Sequence, residues 1–392
     1  MSAVTIYLHI GATKTGSTAL QRFLEQSFSK LLEFGILYPN FRSEDISTPM
    51  QPGQNYWHGY YFEETDGSGD LELFKKCIQY CREHSLHSIV ISNDDFLIRW
   101  PDRIGQLAGK LDANIKIICY VRRQDHYFEA AWKQWGHKFV AANDLFASLE
   151  DPQYVNWFSA NFMDWHKAIA PWAKNFGIEN LIVWPYEKEQ MPEGILPDFL
   201  NKINVVWPEK PVINSTSNDG ARANIGFSRD VIEFLYFNRE IRDSVGNLAD
   251  AQIYAMVNTG LSDNFRKKTF DSYGILPPKD RISLLEKFET SNQLLAHEAL
   301  GRADGRLFYE PWPAPDENWE PYEGLSVEKL TPILTKLIYN VYERQIALDK
   351  QYKQLDQLVQ QQQAFRATYL ASGWPRLRTF LSKLLRFLHL RK

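Results

Sequence analysis

The segment Val4–Thr18, VTIYLHIGATKTGST, decides the fold of this chain. Apolar side chains alternate with others as far as Ile10, which is the period of a β-strand. A glycine loop follows, and Leu20, Phe23 and Leu24 then recur at helical spacing. The sequence therefore predicts a strand, a loop and a helix in direct succession.

The loop Gly11–Thr18 has the composition of an anion-binding turn. Its glycines permit a tight turn, and a helix that starts directly after it presents unpaired N–H groups and a partial positive charge. Lys14 reaches an anion held there, and Ser17 or Thr18 is expected to cap the helix. A Walker A loop has a lysine after its last glycine, whereas Gly16 precedes a serine here. We therefore expect a phosphate-binding loop whose lysine lies inside the turn.

Helical and strand patterns alternate along the following residues. Helices are predicted at 71–84, 102–111, 125–138, 156–176 and 196–200, and strands at 88–92, 115–121 and 181–184. Such alternation is typical of a parallel sheet with helices on both faces. The stretch 39–69 is expected to be a long loop, and 231–300 is expected to be helical. The sequence predicts an α/β protein: a P-loop-type three-layer fold with a central parallel sheet flanked by helices, plus a C-terminal helical extension.

The opening segment resembles the 5′-phosphosulfate loop of the sulfotransferase family, whose bacterial members commonly have His-Ile-Gly-x-x-Lys-Thr-Gly-Ser/Thr-Thr at this place. The resemblance implies a sulfotransferase that uses 3′-phosphoadenosine 5′-phosphosulfate (PAPS) as the donor and requires no metal. Lys14 would stabilise the leaving 5′-phosphate oxygen. The residues that would cradle this phosphate are Thr13, Thr15, Gly16, Ser17 and Thr18.

A buried strand over 115–121 ends in two arginines. In the family, such a strand supplies an arginine, and a serine eight residues later, to the 3′-phosphate of the donor. Arg122 matches that arginine, and its planar fork suits a phosphate. Ala130 stands where the serine is expected, so one hydroxyl donor is missing. Arg123, Lys133 or a backbone N–H group would have to replace it.

Two further segments bear a weaker resemblance to the family. The stretch Leu181–Glu187 looks like a strand ending in Tyr-Glu, whose tyrosine lies against the adenine, and this implies that role for Tyr186. The alternative is an amphipathic core residue with a solvated hydroxyl. Residues 214–228 resemble a loop that closes over the donor, which implies a phosphate contact for Arg222.

An alcohol acceptor needs a base that removes its proton as the oxygen–sulfur bond forms. Asp94 follows the strand 88–92, where related sulfotransferases place a Glu or His beside the donor sulfate. His58 lies in the aromatic-rich loop and is the second candidate because histidine titrates near neutral pH. The alternatives are that Asp94 or Asp95 caps the helix that follows and that His58 is structural.

The overall composition favours some classes of protein over others. The chain has 392 residues and a net charge of −4, which gives no overall attraction to nucleic acid. Cys77, Cys81 and Cys119 are too few for a disulfide framework and lack histidines at metal-site spacing, so reduced core thiols are expected. The start of the sequence lacks the basic region of a signal peptide, and no apolar run is long enough for a bilayer. These features predict a cytoplasmic protein.

The sequence predicts four sections: a sulfotransferase-like α/β domain over 1–310, a proline-rich linker over 311–326, a long helix over 327–372 and a basic amphipathic tail over 373–392. Apolar residues near the a and d positions of the long helix suggest a coiled coil and a homodimer. Leucines and arginines in the tail suit an anionic membrane surface at the inner face. Packing of the tail on its own domain is the alternative.

Aromatic residues cluster at 56–62, 132–135 and 157–172. Flat aromatic faces stack on sugars, so a hydroxyl of a glycan or glycolipid is the expected acceptor, although aromatic residues at helical spacing more often belong to a core. Two other functions stay open at this point. One is a P-loop kinase-like enzyme that uses ATP, and the other is an inactive scaffold that binds a nucleotide or glycan.

Overall fold

The computed structural model describes residues 3–41, 43, 45–49, 68–134, 145–150, 163–213, 229–237, 274–321 and 323–371. The chain divides into two compact units. The first comprises residues 1–244 and 265–325, and the second comprises 245–264 and 326–392. The finer section boundaries drawn from the sequence stay predictions.

The described part of the first unit contains a five-stranded parallel sheet. Its strands are β1 (Thr5–Gly11), β2 (Ile36–Leu37), β3 (Ser88–Ser92), β4 (Asn114–Val121) and β5 (Leu181–Pro185). The order is β2-β3-β1-β4-β5, with every neighbouring pair parallel, so β1 lies at the centre between β3 and β4. Parallel neighbours require crossover connections, which explains why strands and helices alternate along the sequence.

Helices cover both faces of this sheet. The described helices of the first unit are α1 (Ser17–Gln26), α2 (Phe28–Glu33), α3 (Ser68–Glu83), α4 (Pro101–Ala108), α5 (Gln124–Gln134), α6 (Trp165–Phe176), α7 (Ile195–Lys202), α8 (Arg229–Phe237) and α9 (Pro278–Leu300). On one face, Leu24 of α1 and Phe199 of α7 join a core cluster with Tyr120 of β4. On the other face, Trp165 and Trp172 of α6 are fully buried. The predicted three-layer α/β fold is confirmed.

The central strand β1 is buried on both faces because the pleat sends alternate side chains into each helical layer. Tyr7 faces the layer that contains α1 and α7, while Ile6 and Leu8 are 1% and 2% exposed on the other side. Burying each such aliphatic side chain stabilises the fold by about 1.5–3 kcal/mol. The sheet is therefore a rigid base for the loops at its carboxyl edge.

Some element ends differ from the sequence-based expectation for local reasons. Helix α1 begins at Ser17 with Gly16 as its N-cap and without a side-chain cap, so the expectation that Ser17 or Thr18 caps it is wrong. Helix α4 begins one residue earlier than predicted because Pro101 suits the first helical position. Residues 135–144, where α5 was expected to continue, lie outside the described residues.

The described part of the second unit is one long helix, α10 (Val327–Ala371). It matches the predicted long helix and confirms the C-terminal helical extension. The basic amphipathic tail at 373–392 lies outside the described residues, so its membrane contact stays a prediction. Among the helices that the structure describes, none has the length and apolar character needed to cross a bilayer.

Candidate functional site

Three segments that follow neighbouring strands meet at the carboxyl edge of the sheet. The loop after β1 carries Lys14, the turn after β3 carries Asp94, and the end of β4 carries Arg122. The strand order changes direction at β1, since β2 and β3 lie on one side and β4 and β5 on the other. Open parallel sheets bind their ligands in the crevice at such a position. The fold thus collects three residues that are more than a hundred positions apart at their extremes.

The loop between β1 and α1 has an unusual backbone conformation. Lys14 has a φ of 64° and Gly16 a φ of 83°, so both lie in the left-handed region. The backbone N–H of Ala12 donates to the carbonyl of Tyr120 at 2.7 Å, which ties the loop to β4. A residue with a side chain rarely adopts a positive φ, and such conformations concentrate at functional sites. The geometry agrees with a turn built to present the start of α1.

The ammonium group of Lys14 is partly buried between charged neighbours. Its pKa is lowered to about 7, mainly by burial and also by the positive charge of Arg122, while the carboxylate of Asp94 opposes the shift. An anion placed beside this ammonium group would favour its charged form.

Arg122 is oriented by direct contacts with the loop and with Tyr186, the residue that follows β5. Its Nη1 donates to the carbonyl oxygen of Lys14 at 3.0 Å. Its guanidinium carbon lies 5.8 Å from the centre of the Tyr186 ring, within the range of a cation–π contact. Burial lowers the pKa of Arg122, although arginine stays protonated. The two cations expected at the site, Lys14 and Arg122, are therefore adjacent.

Asp94 lies directly beside the loop rather than at the start of a helix. The Ser17 hydroxyl donates to Oδ2 of Asp94 at 2.6 Å, which joins the first residue of α1 to the turn after β3. The short 3₁₀ helix that follows has Asp95 as its N-cap, without a side-chain cap bond. The side chain of Asp95 therefore does not cap this helix, and Asp94 faces the loop that carries Lys14.

Two glycines of the loop leave room for Asp94 and Tyr186 to approach the loop backbone closely. A Cβ atom at Gly11 would lie 2.8 Å from the carbonyl oxygen of Asp94, and one at Gly16 would lie 3.2 Å from the Tyr186 ring. Gly11 also has a φ of 107°. Tyr186 also packs against the core cluster, as the second interpretation of this residue expects, and its contact with the adenine stays a prediction.

The hydroxyl groups of the loop threonines have partners within the protein. Oγ1 of Thr13 lies 3.0 Å from the hydroxyl of Tyr127, and the Thr15 hydroxyl donates to the carbonyl of Ala12. Thr18 is exposed on the outer side of α1. The hydroxyls of Thr13 and Thr15 therefore help to hold the shape of the loop.

Arg123 belongs to a buried ion-pair network that the sequence reasoning missed. Its Nε and Nη2 donate to the two carboxylate oxygens of Asp125 at 2.8 and 2.9 Å, and Arg281 of α9 also donates to Asp125 at 2.9 Å. Arg123 is 2% exposed. The only hint in the sequence was the spacing of an arginine and an aspartate across the start of α5. Arg123 is thereby occupied, which argues against its replacing the missing serine hydroxyl.

A buried cluster of three hydrogen-bonded side chains supports the turn that carries Asp94. Nδ1 of the buried His9 lies 2.7 Å from the hydroxyl of Ser92, and the Gln21 amide donates to the same hydroxyl at 3.3 Å. Burial lowers the pKa of His9 to about 3, so this histidine is neutral. The group connects β1, β3 and α1 behind the site.

Several expected residues lie outside the described part of the chain. They are His58 and Arg222, together with most of the 39–69 loop and the tryptophans at 57, 135 and 157. Trp132, Trp165 and Trp172 are described and are fully buried. These three rings form core, so the sugar-stacking interpretation does not apply to them. Ala130 is partly buried on α5, and the ammonium group of Lys133, one of the expected replacements for the missing serine hydroxyl, lies 3.5 Å from Oε2 of Glu129.

The fold and the site together define an α/β protein of P-loop architecture with a lysine inside the loop between β1 and α1. No known protein-family model matches the chain. An uncharacterized protein of Archaeoglobus fulgidus is 25% identical over 219 residues, which are 54% of this chain and 54% of the relative. The chain thus spans about half the length of the curated relative that it matches.

Two solved structures resemble the chain at low identity. A sulfotransferase from Alicyclobacillus acidocaldarius aligns with a TM-score of 0.35 and 13% identity over 65% of this chain and 100% of the other. The sulfotransferase domain from the curacin biosynthetic pathway aligns with a TM-score of 0.31 and 15% identity, over 56% of this chain and 79% of the other. The fold assignment itself rests on the strand order and the loop geometry described above.

Proposed function

We propose that this protein is a PAPS-dependent sulfotransferase that transfers a sulfuryl group to a hydroxyl of a glycan or glycolipid. The observation that carries the proposal is the proximity of the two cations Lys14 and Arg122 near the N-terminus of α1, with the carboxylate of Asp94 beside Lys14. Two adjacent cations suit a donor with two separate phosphate groups. A carboxylate beside them suits the removal of a proton from an alcohol.

The proposed reaction is an in-line displacement at sulfur. A bond forms between the acceptor oxygen and sulfur while the bond between sulfur and the bridging phosphate oxygen breaks. Lys14 would neutralise the charge that develops on that leaving oxygen, and the backbone N–H groups at the start of α1 would hold the 5′-phosphate. The products are a sulfate ester and 3′-phosphoadenosine 5′-phosphate (PAP).

Asp94 is the proposed general base. Its Oδ2 accepts a hydrogen bond from Ser17, which fixes the orientation of the carboxylate next to Lys14. The acceptor proton would pass to this carboxylate as the oxygen attacks sulfur. His58 stays the second candidate for this role.

Donor binding is tested first, because it separates the proposal from an ATP-dependent enzyme. Thermal denaturation of the full chain is measured with PAP, with ATP and Mg²⁺, and without ligand. At a PAP concentration of 100 times its Kd, the free energy of unfolding is expected to rise by about 2.7 kcal/mol. Stabilisation by ATP with Mg²⁺ and none by PAP would contradict the proposal.

Transfer is then measured with radiolabelled sulfate in PAPS and a panel of oligosaccharides and glycolipids. Incorporation into one acceptor class, abolished in Lys14→Ala, is the expected result. Lys110→Ala serves as a matched control, since Lys110 lies beyond α4 and carries the same charge. Binding of PAP without transfer to any hydroxyl acceptor would favour a scaffold over an enzyme.

A further inference from the structure

The long helix α10 exposes a continuous apolar stripe to solvent. With Ile338 assigned to position a of a heptad, its a and d positions hold seven apolar side chains that are each 39–69% exposed: Leu334, Ile338, Val341, Leu348, Tyr352, Leu355 and Val359. Position f, on the opposite side, holds polar and charged residues such as Glu343, Lys350 and Gln357. An apolar face of this length is rarely left uncovered on a monomeric protein.

We propose that α10 pairs with α10 of a second copy of this chain as a parallel, in-register, two-stranded coiled coil. The residues at the seam indicate the number of strands. Position a carries the β-branched residues Ile338 and Val359, and position d carries Leu348 and Leu355. β-Branched residues at a with leucine at d favour two parallel strands over three or four. Gln345, a polar residue at a, is of the kind that fixes register.

The charged residues beside the seam indicate the direction of the partner helix. In a parallel pair, position g of one helix faces position e of the next heptad on the other helix. This rule brings Arg344 opposite Asp349 of the second copy, and Gln351 opposite Asp356 of the second copy. The first pair has opposite charges, and in the second an amide donor meets a carboxylate.

An antiparallel pair lacks this complementarity. In that arrangement, e positions face e positions and g positions face g positions. The acids Asp349 and Asp356 would then face the e positions of the other helix, where no basic residue is present between 335 and 363. Arg344 would face g positions between 337 and 365, which hold no acid. The charge pattern therefore selects the parallel orientation.

The oligomeric state is tested on the full chain by light scattering coupled to size-exclusion chromatography. The wild type is expected at twice the chain mass of 45.7 kDa. The double variant Leu348→Lys/Leu355→Lys, which places like charges at d, is expected at the mass of one chain. The matched control Gln354→Lys/Gln357→Lys, with the same added charge on the outer side, keeps the dimer mass. A wild type at the mass of one chain overturns the proposal. The stripe would then be covered by another part of the chain or by another molecule.

Direction is tested by crosslinking with a short bis-maleimide. The native cysteines, Cys77, Cys81 and Cys119, are buried and leave the background low. Val341→Cys and Leu355→Cys, each alone, are both expected to give crosslinked dimers, and Gln357→Cys at position f is not. In an antiparallel pair, at most one of positions 341 and 355 lies next to the same position of the second copy. Crosslinking of only one of the two cysteine variants therefore overturns the parallel arrangement.

A charge exchange provides an independent check on the seam. Arg344→Glu and Asp349→Arg, each alone, are expected to weaken dimerisation about threefold or more, since each creates two like-charged contacts per dimer. The double variant restores the opposite charges and is expected to recover the wild-type affinity. Sedimentation equilibrium measures the dissociation constant of each dimer. If the double variant does not recover the wild-type affinity, the proposed pairing is overturned.

Discussion

Arg122 and Arg123 are adjacent at the end of β4, but their guanidinium groups have unrelated partners. Arg122 donates to the carbonyl of Lys14 at 3.0 Å, at the loop that is the proposed donor site. Arg123 forms a two-point ion pair with Asp125, which is fully buried. Both residues lie in the short connection between β4, which ends at Val121, and α5, which begins at Gln124. Arg122 thus lies at the proposed donor site, whereas Arg123 belongs to a buried ion pair.

Substitution of the two arginines is expected to separate binding from stability. Arg123→Ala leaves Asp125 with Arg281 as its remaining guanidinium partner, and is expected to lower the free energy of unfolding by about 3 kcal/mol, measured by urea denaturation. Arg122→Ala is expected to weaken PAP binding at least tenfold, measured by calorimetry, with a smaller loss of stability. Equal effects of both variants on binding and on stability would contradict this division.

The pKa of Lys14 predicts that donor affinity depends on pH. In the free protein this pKa is about 7, so above neutrality the ammonium group is largely deprotonated. A bound phosphate raises the pKa, and binding then takes up a proton. Affinity for PAP is expected to fall as pH rises above 7, by up to about tenfold per pH unit. Lys14→Arg keeps its charge and is expected to flatten the profile between pH 7 and 9, and a flat wild-type profile would exclude this linkage.

Asp94→Asn tests the proposed base. The amide keeps the shape of the side chain and still accepts a hydrogen bond from Ser17, but it cannot take a proton. Turnover is expected to fall about 100-fold or more, while PAP affinity changes little. Asp95→Asn removes the same charge one residue away and is expected to keep turnover near the wild-type value. Unchanged turnover in Asp94→Asn would transfer the role to another residue, with His58 the next to test.

Gly11→Ala is expected to destabilise the protein more than Gly194→Ala does. Both glycines have a positive φ, of 107° and 92°, which costs a side chain about 1–3 kcal/mol. A Cβ at Gly11 would also lie 2.8 Å from the backbone oxygen of Asp94, whereas no atom lies within 4 Å of one at Gly194. Chemical denaturation measures the two costs, and equal values would show that the turn after β3 moves aside freely.

The buried His9 predicts a loss of stability in mild acid. Its pKa is about 3 in the folded protein and about 6.5 when exposed, so the unfolded chain binds a proton in this interval and the folded protein does not. The free energy of unfolding therefore falls as pH decreases from 6.5 towards 3, by up to about 1.4 kcal/mol per pH unit from this group. His9→Asn is expected to show a shallower slope. His84→Asn, at an exposed histidine, is the control and should follow the wild type.

The local elements of the site followed from the sequence because their signals are local. Alternation up to Ile10, the glycines of the loop and the helical spacing after Ser17 predicted the strand, loop and helix that the structure contains. The strand that ends at Val121, directly before Arg122, was predicted in the same way from its apolar run. Each of these patterns depends on the backbone conformation of a few neighbouring residues, which the residues themselves largely determine.

Tertiary structure alone decided which side chains meet. The sheet order places the ends of β3 and β4 on either side of β1, so Asp94 reaches Ser17 and Arg122 reaches the carbonyl of Lys14. It also assigns Arg123 to a buried pair, although its neighbour in the sequence faces the loop. These contacts join residues far apart in the chain. Their geometry depends on the order and register of the strands, which no local pattern specifies.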